Sequence, residues 1–384
     1  MGTPFSLSFV MQESTNSTTN EGQSAQGTLA PQGTLATQET LATQETLALG
    51  QTKKSGTREI LSAHLKSING LTQVENLIKE KLNSEAPILT DISRYLLDLG
   101  GKRIRPALCL MCAKALGSET EREQLIQISA GIELIHMATL LHDDIIDKSK
   151  VRRHKSSPLL KYGLNSTLLA GDFLLTRAFS LCAKLDQYII EITEQACVEL
   201  TEGEVLELPL DEQTHDLKSS LLISRKKTAS LFRLACECAA HLCSKDKKVV
   251  SAMAKFGENI GVAFQILDDI LDVTATEETL GKEPGSDIRE RKPSVVNILW
   301  LESASTLAKK LTSKTSENEN QYVADSLAEL KQSEVIGKAK NLALEYTDKA
   351  KQHLSEVEAL AGAKDPQSFA ALRGLVDYCI QRME

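Results

Sequence analysis

The stretch LLHDDIIDKSKVRRHK, residues 140–155, places three aspartates within five positions at the end of an apolar segment. Asp143, Asp144 and Asp147 stand at i, i+1 and i+4, a spacing that brings their carboxylates together at one end of a helix. Like charges at this spacing repel each other, so the helix gains no stability from the cluster. One such cluster is also typical of a solvated helix end.

The same pattern occurs again in VAFQILDDILDV, residues 262–273, where Asp268, Asp269 and Asp272 end a second apolar segment. Mg²⁺ prefers one or two carboxylates together with water and substrate phosphates. Two clusters of this kind facing each other across a helical bundle predict a Mg²⁺ site and a substrate that carries a polyphosphate group.

Basic residues stand beside these clusters and beside glycine turns. Arginine grips phosphate with two hydrogen bonds and lysine acts as a mobile point charge. Any one of them alone is more typical of a surface charge, but their placement favours a phosphate site. His136, two helical turns before Asp143, is equally typical of a ligand and of a core histidine. The candidate cations are Lys102, Arg103 and Arg105 in GGKRIRP, Arg152, Arg153, Lys227, Lys282 and Lys292.

Composition predicts an all-α fold. Aromatic residues make up only 4% of the 384 residues, and no proline lies between Pro106 and Pro158 or between Pro209 and Pro284. Proline breaks helices, whereas the abundant Ala, Leu, Glu and Lys favour them. The longest apolar segments predict long helices packed as a bundle; they are Leu125–Ile146, Leu168–Leu185 and Val249–Leu271.

The first 56 residues differ from the rest. Residues 27–51 repeat a six-residue unit of the type GTLATQ, and residues 1–52 contain four glutamates and no Lys or Arg. The six-residue period forms no apolar stripe on a helix. We therefore expect a low-complexity, disordered tail at 1–56 and one folded domain at 57–384. A transit peptide would be rich in arginine, so the expected location is the cytoplasm.

Several function classes are excluded or disfavoured. No basic block indicates nucleic acid, no apolar run approaches the ~20 residues of a membrane span, and no Walker motif or nucleophile elbow is present. The eight cysteines predict free, mostly buried thiols of a reducing compartment. Cys109 and Cys112 form a lone CxxC, which matches a zinc site poorly.

The motifs GGKRIRP, HDDIIDKSKVRR, LAGDF, EGE, KTASLF, GVAFQILDDILD and GKEPGSDIRERK occur in one order over residues 60–384. With these motifs in this order, the sequence resembles the trans-polyprenyl diphosphate synthases, in particular the long-chain octaprenyl and solanesyl type. The resemblance implies an isoprenoid-synthase-like bundle of long helices around a central cavity, a homodimer, and peripheral membrane contact for product release. The segment at residues 289–299, RERKPSVVNIL, departs from the motif that often ends the family's basic region.

The resemblance also implies roles for the residues. Asp143, Asp147 and Asp268 would be the strongest Mg²⁺ ligands, with Asp144, Asp269 and Asp272 completing the clusters. Lys227, Thr228 and Gln265 would be catalytic. Isopentenyl diphosphate would be held by Lys102, Arg105, His136 and Arg153, and the allylic diphosphate by Arg152, Lys227, Thr228, Gln265, Lys282 and Lys292. Released diphosphate is expected to accept the final proton.

Product length depends on the helix that precedes the first cluster. Ala138 and Thr139, about one turn before Asp143, are small where short-product members tend to carry an aromatic residue. This favours a product longer than farnesyl, such as the side chain of a quinone. The alternatives are a farnesyl or geranylgeranyl diphosphate synthase and the catalytic subunit of a heteromeric synthase. A terpene cyclase would replace the second aspartate cluster with another metal motif, and a purely structural scaffold would bind no diphosphate.

Overall fold

The computed structural model describes residues 68, 70–120, 122–280, 283–313 and 318–381. The predicted tail at 1–56 and Lys282 lie outside these residues. The long helices are α1 Gly70–Lys81, α2 Pro87–Asp98, α3 Ile104–Ala115, α4 Glu123–Ile146, α6 Leu164–Cys182, α7 Gln187–Leu206, α9 Ser230–Cys243, α10 Lys247–Thr274, α14 Glu319–Gln332, α15 Val335–Ala361 and α16 Pro366–Gln381. The short ones are α5 Pro158–Tyr162, α8 Leu217–Ser224, α11 Glu277–Leu280, α12 Ser286–Arg289 and α13 Val295–Glu302, with a π-helix at Arg225–Ala229 and a 3₁₀-helix at Ala308–Thr312.

The described residues contain almost no sheet, so the all-α prediction is confirmed. The one hairpin joins β1, Val151–Arg152, to β2, Lys155–Ser156, directly after the first aspartate cluster. Arg153 and His154 at its turn both have positive φ, 52° and 62°. Positive φ at both central residues is what a two-residue hairpin turn requires. The hairpin therefore determines where Arg152 and Arg153 lie relative to Asp144 and Asp147, which precede it by only a few residues.

Two long helices form the centre of the bundle. Helix α4 is apolar on nearly every side because it packs against α1, α3, α6 and α9. Helix α10, 28 residues long, packs against α9 and α15. Asp246 begins α10 as its N-cap, where its carboxylate accepts a hydrogen bond from Lys248 N. Both helices end in an aspartate cluster.

Among the described residues, α4 is the one helix that is long and apolar enough to cross a membrane, and 78% of its most apolar window is buried within the protein. Burial of this kind is typical of a core helix. All eight cysteines are free and six of them are buried, as the sequence predicts. Cys112 Sγ lies 3.7 Å from Cys236 Sγ between α3 and α9.

The segment after α10 brings the two aspartate clusters to the same end of the bundle. Val295 N, at the start of α13, donates to Asp269 Oδ2 at 2.8 Å. Lys292 Nζ, three residues earlier, lies 3.2 Å from Asp147 Oδ2 beyond α4. Carboxylates at the C-terminal end of a helix are disfavoured by the helix dipole. The two clusters therefore stand where they destabilise their helices, which favours a role in binding.

Candidate active site

The first cluster divides its aspartates between two tasks. Asp144 is fully buried, and its Oδ1 accepts hydrogen bonds from Arg152 Nε at 2.9 Å and Nη2 at 2.7 Å. This pair ties the hairpin to α4. Asp144 Oδ2 is buried and has no hydrogen-bond partner among the described residues.

Asp143 and Asp147 face the partly exposed side of the cluster. Burial raises the pKa of the Asp143 carboxyl to about 7; Glu204 and Asp147 add to this shift, and Lys227 opposes it. Asp147 Oδ2 accepts a hydrogen bond from Lys292 Nζ. The carboxylates of Asp143 and Asp147 stand on one partly exposed side of the cluster and offer the hard oxygen ligands that suit Mg²⁺.

The second cluster is divided in the same way. Asp269 is buried and uses both oxygens, accepting from Gln265 Nε2 and from Val295 N, each at 2.8 Å. Burial raises the pKa of Asp269 to about 7, although these two hydrogen bonds lower it. Asp272 Oδ2 accepts from Asp287 N at 3.0 Å. Asp268 alone of the three is exposed. Asp269 and Asp272 thus hold the segment after α10, and Asp268 faces outward.

A π-helix presents Lys227 and Thr228. A Cβ on Gly203 of α7 would lie 2.7 Å from Lys227 N, and a Cβ on Gly261 of α10 would lie 2.6 Å from Ala229 Cα. The π-turn therefore fits between two helices only because both positions are glycine. Thr228 Oγ1 donates to Gln265 Oε1 at 2.5 Å. A hydrogen-bond chain thus runs from the π-turn through Gln265 to Asp269. π-turns inside α-helices often mark functional sites.

Four arginines and a histidine form a second group, which we call the arginine cluster: Arg103, Arg105, Arg152, Arg153 and His136. Burial lowers the pKa of His136 well below its usual value, and all four arginines lower it further. The imidazole is therefore neutral near pH 7. A Cβ on Gly101 would lie 2.5 Å from Arg103 Nη1 and 3.3 Å from Arg153 Nη1.

The arginine cluster has few counter-charges. Arg103 Nη1 lies 2.9 Å from Glu133 Oε1, and Arg152 pairs with Asp144. Arg105 stacks over the ring of Phe232, 5.0 Å from its centroid. Burial lowers the pKa of Arg153, and the nearby Arg103 and Arg152 add to this shift. Like charges gathered in this way favour the binding of an anion.

The lysine cluster consists of Lys227, Lys292, Glu204, Glu207 and Asp147. Lys227 Nζ lies 2.7 Å from Glu204 Oε2 and 2.5 Å from Glu207 Oε2. Lys292 Nζ contacts Glu290 at 2.8 Å as well as Asp147. Glu133, Glu204 and Glu207 were not among the predicted site residues, whereas Arg103 was one of the candidate cations. In the sequence, the EGE motif signals only Glu204.

The remaining predicted residues lie around these groups. Lys102 is exposed beside Gly101. Ala138 is fully buried in α4, whereas Thr139 is partly exposed and its Oγ1 donates to His136 O at 2.8 Å. His136, Thr139, Leu140 and Asp143 are spaced at i, i+3, i+4 and i+7 and are all partly exposed, whereas residues 128–135 before them in α4 are buried. They mark one open face of α4 below the first cluster.

The residues present fit Mg²⁺. Among the described residues, no three His, Cys, Asp or Glu side chains alone form a group that could hold a metal ion. Mg²⁺ seldom uses such a cage and instead combines one or two carboxylates with water and phosphate. The hard oxygens of Asp143, Asp147 and Asp268 suit this pattern, and the partnerless Asp144 Oδ2 adds a buried acceptor beside them.

Comparison with known proteins identifies the family of the chain. The model of the polyprenyl synthetase family matches residues 86–330. An octaprenyl diphosphate synthase of Escherichia coli is 36% identical over 240 residues, which are 60% of this chain and 73% of that protein. A geranylgeranyl diphosphate synthase of Methanosarcina mazei is 31% identical over 322 residues, which are 82% of this chain and 96% of that protein.

Solved structures give the same result. A polyprenyl synthase from Caulobacter crescentus, crystallised with calcium and isoprenyl diphosphate, is 30% identical with a TM-score of 0.76, covering 85% of this chain and 98% of that one. A heptaprenyl diphosphate synthase from Staphylococcus aureus is 29% identical with a TM-score of 0.75, covering 82% and 98%. Fold and site define an all-α prenyltransferase. The chain belongs to the polyprenyl synthetase family and makes trans-polyprenyl diphosphates.

Proposed function

We propose that this protein condenses isopentenyl diphosphate with an allylic prenyl diphosphate and extends the prenyl chain to a long product, used as a quinone side chain. The observation that carries the proposal is the pair of separate cation groups beside the aspartates. The arginine cluster and the lysine cluster supply one anion site each. Two diphosphate substrates need two such sites.

We assign the roles of the residues as the family resemblance implies, and their grouping in the structure supports the assignment. Arg105, Arg153, His136 and Lys102, joined by Arg103, would hold isopentenyl diphosphate. Lys227, Lys292 and Thr228 would hold the allylic diphosphate, with Gln265 fixing Thr228. Arg152 is engaged by Asp144, so we assign it to positioning the hairpin as well as to this diphosphate. Lys282 stays a prediction for the same diphosphate.

The reaction needs charge stabilisation and no protein nucleophile. The allylic carbon–oxygen bond breaks and its electron pair leaves with the diphosphate, where the lysines stabilise the negative charge that develops. The double bond of isopentenyl diphosphate then attacks the allylic cation and forms the new carbon–carbon bond. Loss of one proton, to the released diphosphate, restores a double bond. The chain extends by one isoprene unit in each cycle.

Mg²⁺ is the proposed metal. Asp143, Asp147 and Asp268 would hold it together with the substrate diphosphate. Bound Mg²⁺ would neutralise part of the charge on the leaving group. The carboxyl of Asp143, whose pKa is raised to about 7 by burial, must ionise to serve as a ligand.

A long product is supported by the small side chains of Ala138 and Thr139 below the first cluster. The relatives include both octaprenyl and geranylgeranyl diphosphate synthases. We propose the longer product because no aromatic residue stands at either position.

Product sizing tests the proposal. The purified chain is incubated with labelled isopentenyl diphosphate, farnesyl diphosphate and Mg²⁺, and the products are sized by mass spectrometry. We expect products of more than four isoprene units. Accumulation of farnesyl or geranylgeranyl diphosphate alone would contradict the long-chain proposal. Inactivity of the single chain, restored by a partner subunit, would instead support the heteromeric alternative.

We further propose a homodimer, supported by large apolar side chains that are exposed on α6 and α7. Leu164, Leu168 and Leu169 on α6 are 53%, 42% and 58% exposed, and Val198 on α7 is 45% exposed. Exposed apolar patches of this kind mark interaction surfaces. A cytoplasmic location and peripheral contact with a membrane during product release remain predictions.

A further inference from the structure

The lysines of the proposed allylic diphosphate site are already neutralised by carboxylates of the chain itself. Lys227 Nζ contacts Glu207 Oε2 at 2.5 Å and Glu204 Oε2 at 2.7 Å. Burial opposes the charge on both Lys227 and Lys292, yet the carboxylate of Glu207 leads the groups that raise the pKa of each lysine. Glu207 therefore contacts Lys227, and its charge also acts on Lys292.

The position of Glu207 is unfavourable for the helix that carries it. Glu207 directly follows α7 and its backbone N donates to Gly203 O, so it caps the C-terminal end of the helix. A carboxylate there meets the negative end of the helix dipole. Helix stability does not account for an acidic residue at this position, whereas the contact with Lys227 does.

We propose that Glu207 is a positioning residue that occupies the place of a diphosphate on Lys227, beside Lys292, and is displaced when diphosphate binds. The inference rests on the proposed function, since it assigns the two lysines to a diphosphate. Before diphosphate binds, Glu207 pairs with Lys227 and holds its ammonium group in place. In the occupied site, the displaced carboxylate repels the diphosphate, weakens its binding and speeds the release of the product diphosphate.

The chain offers a matched control. Glu202 lies in the last turns of α7, five residues before Glu207, and forms an ion pair with Lys226, the neighbour of Lys227. The side chain of Glu202 is 52% exposed, against 17% for Glu207. E202Q and E207Q therefore remove the same charge from the same two segments, and only E207Q removes it from Lys227 and Lys292.

The experiment is calorimetric titration of the full-length protein with inorganic diphosphate in the presence of Mg²⁺. We expect E207Q to bind diphosphate about tenfold more tightly than the wild type, because one carboxylate no longer competes for two cations. E202Q should stay within about twofold of the wild type. In steady-state turnover, E207Q should be inhibited by diphosphate at correspondingly lower concentrations, and its kcat should fall as product release slows.

The outcomes separate the inference from the proposed function. Diphosphate binding by E207Q that equals or is weaker than wild-type binding would overturn the inference while leaving the proposed function standing. A wild-type protein that binds no diphosphate would overturn both. E207D, which keeps the charge but withdraws it by one methylene group, provides a second variant if E207Q does not fold. It should bind diphosphate more tightly than the wild type, and wild-type affinity in E207D would then count against the inference.

Discussion

At the scale of single residues, Asp143 combines a partly buried carboxyl group with a role that requires its charge. An aspartate in an unfolded chain has a pKa near 4, whereas burial raises the pKa of Asp143 to about 7 in the folded, metal-free protein. Between these values the folded protein retains a proton that the unfolded chain releases. The contribution of Asp143 to stability therefore falls as the pH rises from about 4 to about 7.

We predict that D143N removes this loss of stability at higher pH. Without metal, the Tm of D143N relative to the wild type should rise by about 2 to 4 °C between about pH 5 and about pH 8. Added Mg²⁺ should raise the Tm of the wild type more than that of the variant. Thermal unfolding followed by circular dichroism measures both effects. D91N, which changes an exposed aspartate of α2, is the control. If the Tm values of D143N and the wild type changed with pH in parallel, the prediction would be contradicted.

Ala138 and Thr139 make the proposed product length testable by single substitutions. Phenylalanine at Ala138 must displace its neighbours, since Ala138 has no exposed surface. We expect A138F to shift the main product towards farnesyl or geranylgeranyl diphosphate, because the added ring closes the space below Asp143. Thr139, on the partly exposed face, allows the same test with T139F. A370F, at an exposed alanine of α16, should leave the product length unchanged. Unchanged products in both test variants would remove these positions from the floor of the site.

At the scale of helices, the sequence predicts those helix bounds that a local pattern of residues determines. Predicted Leu125–Ile146 and Val249–Leu271 correspond to α4 and α10 with starts two residues earlier. Helix α6 begins four residues before the predicted Leu168, because Gly163 and not the polar LNST segment ends the preceding turn. It ends at Cys182, shortly before Asp186 caps α7 by accepting from Ile189 N.

The site could be predicted only in part, for a physical reason. The aspartates and arginines stand in short motifs, so their proximity follows from helical spacing. The π-turn depends on Gly203 and Gly261, which lie on two other helices, and the partners of Lys227 lie about 20 residues away in sequence. Contacts set by the packing of separate helices leave no periodic signal in the sequence.

Gly203 therefore provides a test of the π-turn as an element. In G203A the new Cβ would lie 2.7 Å from Lys227 N and 3.0 Å from Lys226 Cβ, which the backbone must relieve by moving. We expect kcat to fall by about 100-fold, because a displacement of about 1 Å at a catalytic group has that effect. Stability should fall by about 1 to 3 kcal/mol.

Gly337 in α15 is the matched control for G203A, since a Cβ there meets nothing within 4 Å. G337A should raise stability by up to about 1 kcal/mol through the better helix propensity of alanine and leave kcat unchanged. Urea unfolding and steady-state kinetics on both variants measure the difference. A G203A enzyme with wild-type kcat would show that the π-turn tolerates displacement.

At the scale of the whole molecule, the exposed apolar residues of α6 need an explanation that the single chain does not provide. Leu164, Leu168 and Phe179 lie within about 60° of one another around the helix and are each more than 40% exposed. Stable protein interfaces bury about 800 Å² on each partner and are apolar at their centre. A second copy of the chain packing on this face would bury these side chains and provide the proposed homodimer.

Charge on this face should separate the subunits. We predict that the wild type sediments as a dimer and that L164E combined with L168E yields a monomer, because two carboxylates would be buried without partners at the interface. L360E, at a leucine of α15 that is 40% exposed, adds the same charge elsewhere and should leave the dimer intact. Sedimentation velocity at several protein concentrations measures the oligomeric state. A wild-type monomer, or a dimer unaffected by the double substitution, would show that this face serves another purpose.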